Sequence, residues 1–89
     1  MIYTVVFSFL ADHQLADIWL RTTNQQEVTD ASNYIEQLLK HNPEQCGELR
    51  PNGWRILVVG PLAATFEVSE ADRKVTILSI RYNPSLGKR

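Results

Sequence analysis

WRILVVGPLAATFEVSEADRKVTILSIRY, residues 54–82, is the stretch that decides the fold. Trp54 to Val59 is apolar and β-branched and runs into Gly60-Pro61, a pair that turns the chain tightly. Leu62 to Val68 resumes with Leu62, Ala64, Phe66 and Val68 alternating onto one face. The polar segment Ser69 to Arg73 turns the chain again, and Lys74 to Tyr82 reads as a further strand. Three strands in a row, joined by short turns, predict an antiparallel meander.

Upstream, residues 42–53 (NPEQCGELRPNG) are heavy in turn formers and read as a loop. Before them the period changes to that of helices. Val28, Ala31, Ile35, Leu38 and Leu39 recur at helical spacing, and Asn24 followed by Glu27 is a variant capping box. Asn42-Pro43 ends this helix, because the residue before a proline is pushed out of the α region. Leu15, Ile18 and Trp19 make a shorter amphipathic helix with Asp12 as its expected N-cap. The short break between the two implies a helical hairpin. At the start, Ile2 to Phe9 reads as a strand with Tyr3, Val5, Phe7 and Phe9 on one apolar side. Trp19 and the three phenylalanines are expected in the core, and Trp54, after Gly53, is a candidate stacking platform. The order β-α-α-β-β-β is an α+β fold in which the hairpin covers one sheet face and leaves the other partly open. Residues 1–84 are expected to form the single domain and 85–89 a mobile tail.

Eighty-nine residues are too few to enclose a large pocket, so function is expected on a surface or in a shallow groove. The apolar run Ile2 to Leu10 has no Lys or Arg before it and no small-residue cleavage site after it, which favours a strand over an export signal. Cys46 stands alone, so an internal disulfide is impossible and a reducing, cytoplasmic setting fits, with no membrane attachment expected. Net charge is −1 but is unevenly spread: residues 1–48 carry two bases and seven acids, residues 49–89 seven bases and three acids. An anionic partner should meet the C-terminal half.

The four scattered glycines make no phosphate-binding loop, and His13, His41 and Cys46 lack the spacing of a metal site, so no cofactor or metal is expected. The basic residues are more informative. Arg50, Arg55 and Arg81, with Tyr82, are expected to converge at one end of the meander. Guanidinium groups grip phosphate bidentately and stay charged at any physiological pH, and a tyrosine beside them can stack on a base or transfer a proton. Solvated strand-end charges are the competing reading.

The ordered set of segments resembles the RelE/ParE superfamily of bacterial toxins over nearly the whole chain. It comprises YTVVFS (3–8), ADHQLADIWL (11–20), a second helix ending LLKHNP (38–43), CGELRPNGWRILVVGPL (46–62) and TFEVSEADRKVTILSIRYNP (65–84). The resemblance implies the toxin of a type II toxin–antitoxin system, held silent by a cognate antitoxin that wraps an extended segment around it. RelE-like members cleave mRNA in the ribosomal A site without metal; ParE-like members inhibit DNA gyrase by binding it; a degenerate member would retain antitoxin binding alone. On this likeness Arg55, Arg81 and Tyr82 are the candidate catalytic residues, and Arg50, Arg55 and Arg81 the candidate phosphate-binding ones. Two positions depart from the usual nuclease pattern. Ala63 stands near the place of a third-strand arginine, and Leu57 replaces a second-strand basic residue.

Overall fold

The structure, a computed structural model, describes residues 2–83; the expected tail 85–89 lies outside them. The elements are β1 (Thr4–Phe7), α1 (Phe9–Arg21), α2 (Gln25–His41), a 3-10 turn (Pro43–Gln45), β2 (Glu48–Leu49), β3 (Arg55–Val59), β4 (Leu62–Ser69) and β5 (Lys74–Tyr82). They form a five-stranded sheet in the order β1-β5-β4-β3-β2, with β1 parallel to β5 and every other pair antiparallel. The helical hairpin packs on one face, as the alternation of apolar residues in the meander requires. No described helix is long and apolar enough to cross a membrane.

The core lies between the hairpin and that face. Val28, Ala31, Ile35 and Leu39 of α2 and Ala11 of α1 meet Leu62, Ala64 and Phe66 of β4 and Val75, Ile77 and Ile80 of β5, all buried. Asn24 caps α2 through the Glu27 N–H, 3.1 Å, and the Asn42 backbone closes its end. Three expectations need correction at the N-terminal end. Ser8, not Asp12, is the N-cap of α1: its hydroxyl accepts from the Ala11 N–H at 3.1 Å, so the strand stops at Phe7 and the helix begins four residues earlier. Phe9 therefore leaves the strand alternation and stands 81% exposed, edge-on to His13. Trp19 is half-exposed rather than core, its indole N–H donating to the Thr29 hydroxyl at 3.0 Å.

The segment read as a loop contains a strand. Glu48 and Leu49 pair with Ile56 and Arg55, and the Arg50 N–H continues the ladder to the Trp54 carbonyl at 2.7 Å. Two features fold this ribbon back. The Asn52 side chain accepts the Trp54 N–H, and Gly47 takes φ 72° where any Cβ would lie 2.5 Å from the Ile56 carbonyl oxygen.

A bulge in β5 governs what the open face displays. Ala64 pairs with Ile80 and Thr65 with Ser79, but the next pair is Phe66 with Ile77, so Leu78 is an extra residue. Ile77 and Ile80 are three apart and in a regular strand would point to opposite faces; the bulge lets both be buried. Its freed backbone groups are satisfied by α1. The Ser8 hydroxyl donates to the Leu78 carbonyl at 3.0 Å, and the Ile80 N–H donates to Gln14 Oε1 at 2.7 Å.

Candidate functional site

Past the bulge, Ser79 and Arg81 take the open face while Ile80 and Tyr82 take the helical one. On β4 the open side carries Ala63, Thr65 and Glu67, and on β3 it carries Ile56 and Val58. The Arg50–Trp54 ribbon rises at the corner of this face. Together these residues line a groove of about 420 Å³: Arg50, Asn52 and Trp54 at one end, Ile56, Thr65 and Ser79 along its floor, Ala63 and Arg81 at the other end.

Of the four residues expected to converge, the groove joins Arg50 and Arg81. They bracket it rather than clasp a single point. Arg50 is registered with Trp54, and Arg81 through Ala63 with Val58, so three strand spacings and four residues separate them, roughly 20 Å between backbones. Arg55 does not join them. It shares the face of Phe66, its cross-strand partner, and its charge bears on Glu44 and Cys46 on the helical side. Tyr82 also turns away, its hydroxyl 3.3 Å from that of Thr22 where the two helices connect. Adjacent residues of one strand point to opposite faces, so Arg81 and Tyr82 cannot both enter one groove. The ends of the meander also fall differently from expectation: β3 and β5 run the same way, which aligns the end of β5 with the end of β3 rather than its start. Arg50 reaches the site because the β2 ribbon carries it there.

Trp54 is 41% exposed in the groove, enough to offer an indole face to a flat ring. Arg50 holds a loose ion pair with Glu48, 3.3 Å, with both side chains largely in solvent. Such a pair is worth at most about 1 kcal/mol and yields readily to a phosphate. Arg81 has no ion pair among the described residues. Glu48 and Glu67 are the acids on this side, both exposed.

On the helical side a cluster links the 3-10 turn to the β4–β5 turn. The Tyr3 hydroxyl donates to Glu70 Oε2 at 3.2 Å, and the Arg73 guanidinium lies over the Tyr3 ring, 5.5 Å from its centre. A hydrogen bond between the Glu44 and Glu70 carboxyls pushes Glu44 up and Glu70 down from the usual carboxylate value. Cys46 is buried with its thiol pushed up by desolvation, which Arg55 only partly offsets; it is not a ready nucleophile. Among the described residues no three His, Cys, Asp or Glu side chains gather as a metal site.

No protein-family model and no curated protein matches this sequence. Solved structures do resemble it. The RelBE2 toxin–antitoxin complex of Mycobacterium tuberculosis superposes with a TM-score of 0.75 at 16% identity, over 94% of each chain. The chromosomal ParDE toxin–antitoxin system of P. aeruginosa gives 0.63 at 20% identity, over 92% of this chain and 97% of that one. TrmO from Pseudomonas aeruginosa gives 0.62 at 20% identity, covering 90% of this chain but 35% of that one. The chain therefore has the RelE/ParE-like fold. The fold also serves inside a larger protein, so function must be argued from the site.

Proposed function

We propose that this protein is the toxin of a type II toxin–antitoxin module, that a cognate antitoxin is its partner, and that its effector surface is the sheet groove, which binds single-stranded RNA, with mRNA on the ribosome as the target. The observation that carries this reading is the arrangement of Arg50, Trp54 and Arg81 around one open groove. Two guanidiniums for phosphates and an exposed indole for a base are the elements that a flexible single strand requires. The whole-chain likeness to the toxin–antitoxin complexes supplies the biological setting. A net charge of −1 leaves the protein without a general attraction for nucleic acid, which concentrates binding on the groove.

The groove residues also define what chemistry is available. The lining offers two cations, hydroxyls and an amide, with no histidine, lysine or carboxylate poised to move a proton. Any RNA cleavage there would proceed by holding the phosphodiester in line with its own 2′-hydroxyl and by balancing its charge with the arginine at that end of the groove. Arg55 and Tyr82, on the far face, would support the sheet and its junction with the hairpin rather than touch RNA.

The test is pulse labelling after induced expression in a bacterial host, with an Arg50→Ala/Arg81→Ala variant and an Arg55→Ala variant alongside. Protein synthesis should stop first, the double variant should restore it, and Arg55→Ala should remain toxic. Arrest of DNA synthesis ahead of translation would replace this reading with gyrase inhibition of the ParE type. Continued growth with folded protein would leave a degenerate toxin that keeps antitoxin binding alone.

A further inference from the structure

We infer that Thr65 and Ser79 form a ribose-reading pair on the floor of the groove, through which the protein prefers RNA to DNA of the same sequence. The inference rests on the proposed role of the groove and names the sugar that it selects.

Thr65 and Ser79 are direct cross-strand partners on the open face, which places their Cβ atoms about 5 Å apart. Both are partly buried in the groove, and neither hydroxyl has a partner among the described residues. Several other hydroxyls are engaged within the fold. Ser8 binds Ala11 and Leu78, Thr22 meets Tyr82, Thr29 receives Trp19 and Ser69 binds Asp72. Two adjacent unused hydroxyls in a concave surface are groups prepared for an outside partner.

Their position gives that partner its identity. Ser79 lies two residues before Arg81 on the same face of β5, a step of about 7 Å along the strand. A phosphate held by Arg81 would set its attached sugar over the Thr65–Ser79 pair. Ala63, beside Arg81, keeps the approach low, and Ile56 supplies apolar surface on the way to Trp54. A neutral hydroxyl both donates and accepts, which matches a sugar hydroxyl, whereas the charge that a phosphate requires comes from Arg81. The 2′-hydroxyl is the group that separates ribose from deoxyribose. The β5 bulge turns Ser79 to this face, so the feature that buries Ile77 and Ile80 together also builds the pair.

The test is fluorescence anisotropy at low salt with end-labelled RNA and DNA tetranucleotides of one sequence, on the full chain. The wild type should bind RNA about tenfold more tightly than DNA, the net worth of one or two hydrogen bonds. Thr65→Val, which keeps shape and strand preference, and Ser79→Ala should each narrow the gap. Together they should bring RNA to the DNA value, with wild-type circular dichroism and melting temperature as the check on folding. Equal binding of RNA and DNA by the wild type, or a preference that survives in the double variant, would overturn the ribose-reading assignment while leaving the groove a nucleic-acid site. Binding of neither strand would overturn the RNA role itself, and this inference with it.

Discussion

The two faces of the sheet are built from the same strands by different rules. On the helical side the residues are closely packed: Leu62, Ala64, Phe66, Val75 and Ile77 have no exposure at all. Each contact there excludes water and contributes to stability, and the buried stripe of α2 belongs to the same core. On the open side the same β4 and β5 present Ala63, Thr65, Ser79 and Arg81, partly or fully in solvent and with little holding one to another. The first face keeps the chain folded; the second is free to meet a ligand because it carries almost none of that load. Alternation along a strand separates the two duties within single residues of each other.

Several substitutions would break or sharpen this contrast. The largest effect is expected on the packed face. Phe66→Ala should cost about 3–5 kcal/mol, a large share of the ~5–15 kcal/mol that holds a small domain together, whereas its neighbour Thr65→Val should stay within about 0.5 kcal/mol. Denaturant unfolding of the two variants measures the difference directly; similar losses would mean that the open face is packed after all. Gly47→Ala comes next. Its positive φ and the 2.5 Å approach to the Ile56 carbonyl should cost about 1–3 kcal/mol and loosen the ribbon that carries Arg50. Unfolding and groove affinity should therefore fall together.

Gln14→Ala tests the bridge between the faces. It leaves the Ile80 N–H without its acceptor, a cost of about 1–3 kcal/mol if no water replaces it. Gln14→Glu retains an acceptor oxygen and should recover most of that loss in the same unfolding assay. The smallest effect is one of pH. Glu44 is held above the usual carboxylate value, so its contribution is present below that value and fades as pH rises through the raised one. Glu70 is held below it, so its contribution is lost as pH falls through the lowered one. The pair is thus best satisfied with one shared proton, and wild-type stability should decline gently at this contact as pH rises from the usual carboxylate value through the raised Glu44 one. Glu44→Gln, which cannot ionise, should flatten that decline in parallel melting curves.

The bulge shows how much of the site a linear reading can reach. Parity counted straight through KVTILSIRY puts Val75, Ile77, Ser79 and Arg81 on one face, which would drive an arginine toward the core. Ile80 is the signal that this is wrong, since it is apolar and out of phase with Ile77 and Val75. Residue type alone marks the conflict but does not say where the extra residue falls. Ser8 and Gln14, 70 and 66 residues from the groups they bind, accommodate the bulge at Leu78 by binding the backbone groups it releases.

What the sequence determined by itself was the α+β class, the hairpin with its Asn24 and Asn42 boundaries, and the meander, because capping and apolar period are local properties of the chain. It also marked Arg50 and Arg81 as cations worth following. Only the tertiary structure decided which cations share a face. It turned Arg55 and Tyr82 to the helical side, brought Arg50 in on a two-residue strand hidden within a turn-rich segment, and aimed Ser79 and Arg81 outward at a bulge. Those placements depend on strand register, and register is set by the packing of side chains distant in sequence rather than by the residues that it displays.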